Sequence, residues 1–294
     1  LKNYSHLIHL HIIVFILGFT AILGKLISIA AFELVWYRML IATIALYFIL
    51  KFRKIKTRVS FKKAFTYLLV GFIVAAHWIT FFHAIKVSNV SVTLACLAST
   101  TLFTSILEPL VLRRPFYWIE AVLGVFIILG LYLIFEFETQ YKWGIFFALI
   151  SALLAGLFNI VNKKFTQGNN AHLISFYEML GGFLIISVYI FLFHDIKPGA
   201  FSLSYSDLFY LLVLGTVCTA YAFTSIIELM KKISAYLVIL SINLEPVYGV
   251  IMAYLIFGAS EHMTKGFYLG TAIIILCVFL YQPLMRAFHK NAAN

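Results

Sequence analysis

Ten long apolar runs fall into two sets of five, and the second set repeats signatures of the first. Trp36-Tyr37-Arg38-Met39-Leu40 returns as Phe176-Tyr177-Glu178-Met179-Leu180. Gly18 and Lys25 return at the same spacing as Gly156 and Lys163, while Lys86 finds Lys231, His83 finds Glu228 and Gly124 finds Gly270. An odd number of crossings per half forces the second half to enter from the opposite side. The expected fold is therefore all-α and integral to the membrane, with ten transmembrane helices as two inverted five-helix repeats. Residues 1–140 form the first repeat and 141–294 the second, within a single membrane domain. Inverted repeats of this kind build a secondary transporter with its site near the bilayer midplane.

Composition agrees with lipid as the solvent. The 294 residues are 63% hydrophobic and 11% charged, roughly half the charge of an ordinary globular chain. A net charge of +11 suggests nucleic acid until its distribution is read, since the basic residues sit in short loops between apolar runs. The bilayer, not nucleic acid, is the expected partner. The runs near 7–24, 33–50, 64–85, 89–112, 116–135, 143–162, 173–193, 207–229, 233–258 and 266–285 are each long enough to cross as helices. With the N-terminus inside, the inner loops hold 16 Lys and Arg against 5 outside. The positive-inside rule then places both termini in the cytoplasm, and a multi-pass protein of a bacterial inner membrane is expected. Lys2 and the first apolar run also resemble a cleaved signal peptide; removal would leave the run at 143–162 without its repeat partner, so retention is expected. Cys96, Cys218 and Cys277 all lie inside spans, as buried thiols do.

Four stretches carry a family resemblance. They are Trp36-Tyr37-Arg38-Met39-Leu40-Ile41-Ala42, His77-Trp78-Ile79-Thr80-Phe81-Phe82-His83-Ala84-Ile85-Lys86, Ser88-Asn89-Val90-Ser91 and Asn243-Leu244-Glu245-Pro246-Val247. With the repeat and the span count they resemble the drug/metabolite transporter superfamily and, within it, the EamA-like exporters. The resemblance implies a central cavity lined mainly by spans 1, 3, 4, 6, 8 and 9 that opens alternately to each side. The chain departs from the family pattern at Thr101, where a mid-span proline is usual, and at Arg114 and Ala259, where glutamate is frequent. A kink in the fourth span is therefore expected at Pro109 instead.

Ionisable groups inside spans are the sharpest functional signal, because each costs about 2.5–3.5 kcal/mol to insert. Glu245 lies near the middle of its span and precedes Pro246, a hinge candidate, on a face shared with Ser241, Tyr248 and Met252. It reads as a proton-titrating or ammonium-binding carboxylate, against the blander reading of a carboxyl hydrogen-bonded to a neighbouring helix. Arg38 and Glu178 hold equivalent positions about 8 Å inside opposite faces. They are gate candidates, although an arginine at that depth can also snorkel to the headgroups. His77, with Trp78 and Phe81, either meets substrate and protons or hydrogen-bonds between helices. Thr20, Thr100, Asn159, Tyr221, Ser241 and Tyr248 complete the candidate lining, with interhelical packing as the alternative for each. Gly266 and Gly270 offer a homodimer contact or internal close packing.

His6, His9 and His11 lack an accompanying carboxylate or thiol cluster, so neither metal nor cofactor is expected. No P-loop supplies nucleotide energy. The leading reading is a secondary transporter, not an enzyme, that exports a small molecule such as an amino acid or organic cation, with protons as a coupling partner. An uncoupled facilitator and an integral-membrane enzyme are the alternatives.

Overall fold

The computed structural model describes residues 2–113, 115–166, 170–193, 199, 201–230, 241–242 and 244–292. Arg114, Lys197, Lys231 and Asn243, with the side chain of Glu228, lie outside the described residues. Every described span is helical. The first repeat runs α1 (Lys2–Leu26), α2 (Ala31–Phe52), α3 (Phe61–Val87), α4 (Val90–Leu97), α5 (Thr100–Leu112) and α6 (Trp118–Phe137). In the second are α7 (Lys142–Thr166), α8 (Ala171–Phe193), α9 (Tyr205–Gly215), α10 (Ala222–Met230), α11 (Glu245–Phe257) and α12 (Lys265–Ala292). Helices α4 and α5 make one span, as do α9 and α10 across a π-helical turn, Thr216–Tyr221. Nine spans long and apolar enough to cross a bilayer lie among the described residues. Helix α11 lies in the run expected as the ninth span, much of which is outside the described residues.

Local chemistry explains the interruptions. Asn89 caps α4 by accepting the Val92 N–H at 2.8 Å. The α4–α5 break falls at Ala98 and Ser99, not at Pro109, which sits inside α5. The expectation of a kink at Pro109 is thus corrected. Ser99 and Thr100 hydroxyls donate back to the Cys96 and Leu97 carbonyls at 2.6 and 2.7 Å, offering the backbone an alternative to the helical ladder. In the π-helical turn, Thr219 Oγ1 donates five residues back to the Leu214 carbonyl at 2.7 Å.

Packing contacts come in pairs related by the repeat. Helix α1 packs on α11, and its equivalent α7 packs on α4 and α5. A Cβ on Gly18 would stand 3.1 Å from the Glu245 carbonyl and from the Gly249 nitrogen. One on Gly156 would stand 3.1 Å from Thr104 Oγ1. Thr104 and Gly249 are separated by the same interval as Lys86 and Lys231, so both glycines serve the same contact in opposite orientation. Helices α6 and α12 form the remaining pair, where a Cβ on Gly130 would come 2.8 Å from the Gly270 carbonyl. Gly270 therefore serves close packing within the chain, the second of its two sequence readings.

The two ends of the bundle are held by different bonds. On one face Asp207 accepts from the Ser28 N–H and hydroxyl at 2.7 Å each, and Glu138 accepts from the Thr264 N–H and hydroxyl at 2.9 and 2.8 Å. On the other, Tyr281 donates to Glu120 at 2.7 Å and Tyr177 to the Thr57 carbonyl at 2.9 Å.

Candidate functional site

Arg38 is the centre of the candidate site. Helix α2 carries it into the core, where its relative exposure is 2%, so it does not snorkel to the headgroups. Its guanidinium lies 3.6 Å from the Trp78 ring centroid and 5.5 Å from that of Phe82. Nε donates to Thr219 Oγ1 at 3.0 Å, and Nη1 has no hydrogen-bond partner among the described residues. Aromatic faces offset part of the cost of burying the cation. Glu245, of opposite charge, also lies within electrostatic reach of Arg38.

Glu245 opens α11 beside Gly18 of α1. Twelve residues separate it from Phe257, the end of that helix, which at 1.5 Å per residue is about 18 Å and near the midplane of a 30 Å core. It is half-buried, and no hydrogen bond to its carboxylate occurs among the described residues. Pro246 follows at the first turn of α11, where a missing N–H costs little. Thr20 of α1 lies beside Cys218 of the π-helical turn, which in turn lies within reach of Arg38. Arg38, Trp78, Thr219, Cys218, Thr20 and Glu245 thus converge from α1, α2, α3, α11 and the π-helical turn. The positive member comes from the first repeat and the negative from the second.

The remaining candidates are distributed around this centre. His77 Nδ1 lies 2.8 Å from the Ser151 hydroxyl and 2.9 Å from the Ser151 carbonyl, and that hydroxyl is also 3.1 Å from the His77 carbonyl. The ring thereby joins α3 to α7, with Phe81 stacked at 6.2 Å. Thr100 is committed to its own backbone, Ser241 is buried and Asn159 is exposed. Tyr221 and Tyr248 meet His9 and His11 of α1 at 2.8 and 3.0 Å. Glu178 is buried among α3, α7 and α8; Asn162 hydrogen-bonds it, and its Oε1 lacks a partner among the described residues. It stands apart from Arg38, its repeat equivalent.

Thr219, Cys218 and the π-helical turn were not legible as site elements, because a π-bulge has no residue signature; a threonine in an apolar span was the one available hint. Glu261 was also missed. It is 1% exposed and two residues beyond Ala259. Its carboxylate takes Lys25 Nζ at 2.7 Å and the Val90 and Ser91 N–H groups at 3.1 and 2.8 Å.

Comparison with known proteins agrees with this architecture. A solved structure titled "Crystal structure of protein" superposes with a TM-score of 0.65 at 14% identity, covering 97% of this chain and 99% of its own. That likeness shows the fold. No curated protein matches the sequence. The model of the EamA-like transporter family matches twice, over residues 6–136 and again over 142–281. With both halves matched, the chain belongs to the EamA-like transporter family, a family of membrane transporters.

Proposed function

We propose that this protein exports a small metabolite, an amino acid or an organic cation, across a bacterial inner membrane by alternating access coupled to proton entry. The observation that carries this reading is Glu245, a half-buried midplane carboxylate with no hydrogen-bond partner among the described residues. A structural carboxyl at that depth would be tied to a neighbouring helix. A substrate ammonium and a proton then compete for the same oxygens, so loading one releases the other. Arg38 Nη1, unfilled at the same centre, supplies a donor for the carboxylate of an amino acid. Trp78 keeps the guanidinium in place between cycles. Pro246 lets the ninth span bend as the cavity changes sides. The excess of basic residues in alternate loops supports a cytoplasmic location for both termini.

Reconstituted protein under an imposed pH gradient tests the reading with labelled amino acids and quaternary amines. Wild type should move one class uphill. Glu245→Gln keeps the shape of the side chain and removes its titration, so uphill movement should be lost and binding should become independent of pH. Uphill transport surviving in Glu245→Gln makes the carboxyl structural. Downhill transport alone in wild type favours an uncoupled facilitator.

A further inference from the structure

Lys25 and Lys163 end equivalent helices of the two repeats at opposite faces of the membrane, and each is paired with a carboxylate of the other repeat. Lys25 meets Glu261 at 2.7 Å, and Lys163 meets Glu108 at 2.6 Å. The two pairs are not equally exposed to water. Lys163 and Glu108 are 63% and 12% exposed in their side chains, against 25% and 0% for Lys25 and Glu261. Water therefore screens the first pair far more than the second.

Glu261 has further partners at this face. Beyond Lys25, its carboxylate takes the first two N–H groups of α4, where the helix dipole favours an anion. Lys25 further donates to Ser260 Oγ at 3.1 Å and lies 4.2 Å from the Phe257 ring centroid. Asn89 Nδ2 reaches Met263 Sδ at 3.6 Å. Each bond from Glu261 to Lys25, Val90 and Ser91 crosses from the second repeat to the first. The ends joined are those of α1, α4 and α11, and α1 and α11 meet again at Gly18 and Glu245.

We infer that Glu261 is a latch that closes one mouth of the transport path, and that the protein rests with this mouth shut. The inference rests on the alternating-access reading. On the topology proposed above, the latched mouth is extracytoplasmic, so the resting site is shielded from outside. Opening it requires the end of α11 to leave both Lys25 and the α4 N-terminus. The Lys163–Glu108 pair at the other mouth is the more water-screened counterpart, and unequal locks bias a two-state equilibrium without any substrate.

The test needs no substrate, so it stands or falls separately from the role of Glu245. Leu94 is fully buried between α4 and α11 beneath the latch, against Gly249. In full-length protein lacking its native cysteines, Leu94→Cys reports whether this mouth is open to a membrane-impermeant maleimide added from the Glu261 face. With the latch intact, labelling should be slow. Glu261→Gln, or Lys25→Met where the first fails to fold, should raise the rate about tenfold or more, the shift expected from losing one charged hydrogen bond. Lys25→Arg should keep it slow, and Lys163→Met should leave it unchanged or slower. The inference is overturned if folded latch variants label no faster than their parent. It is equally overturned if Lys163→Met opens the same mouth as Lys25→Met.

Discussion

At the residue scale, burial separates side chains that hold the bundle from those left free to act. His77 makes both of its ring hydrogen bonds to α7 at one residue, Ser151, and packs 5.4 Å from the Phe158 ring of the same helix. A ring satisfied in this way joins two helices, and such bonds contribute roughly 0.6–2 kcal/mol within membranes. His77→Phe should therefore lower unfolding free energy by about 1 kcal/mol while leaving transport within a factor of two or three. Denaturant unfolding in detergent beside a flux assay checks both halves; abolished flux at unchanged stability would make the ring a substrate contact. Arg38 presents the opposite case, a cation only partly compensated by Trp78, Phe82 and Thr219. Its unfilled Nη1 is a reserve of binding capacity that packing alone does not explain.

At the element scale, the two repeats break corresponding spans by different chemistry. The ninth span has Pro246, while the fourth uses the Ser99 and Thr100 hydroxyls to turn the chain two residues before its equivalent, Thr101. Thr101 is the second residue of α5, a first-turn position at which proline is tolerated. Thr101→Pro should consequently be tolerated, with a stability change below about 1 kcal/mol. Ser105→Pro, in the interior of α5, should cost about 3 kcal/mol or more. Equal losses at the two sites, measured by thermal unfolding, would show that α4 and α5 act as one continuous helix. Pro109 is accommodated in α5 four residues beyond Ser105.

At the scale of the whole molecule, bonds at each face join loops that alternate crossings bring together. Ser28–Asp207, Glu138–Thr264 and Lys25–Glu261 share one face, and Glu120–Tyr281 and Lys163–Glu108 the other. The proposed orientation makes the second face cytoplasmic. A single cysteine at Lys54 should then label only from the cytoplasmic side, and one at Lys142 only from outside. Labelling of both from one side in intact and inverted vesicles would defeat the inverted arrangement. Reversal of both sides would leave the bundle standing and overturn only the orientation.

The number of spans and the relation between halves were legible in the sequence, because a membrane helix must satisfy its backbone internally and present about twenty apolar residues to lipid. The repeat was legible through Gly18 and Gly156, since close helix approach restricts residue type at a contact whatever the rest of the span contains. Glu245 stood out because an intramembrane acid is expensive. What surrounds a side chain was not legible. Depth along α2 placed Arg38 near a face, but its azimuth, fixed by packing against α3 and the π-helical turn, turned it into the core against Trp78 and Thr219. Glu261 carries no signal in its own segment, and folding brings the α4 N-terminus and Lys25 around it. Periodicity and hydropathy are properties of one segment, whereas the Arg38 site and the Glu261 latch are made of segments up to 236 residues apart. Only tertiary structure decides which of those segments meet.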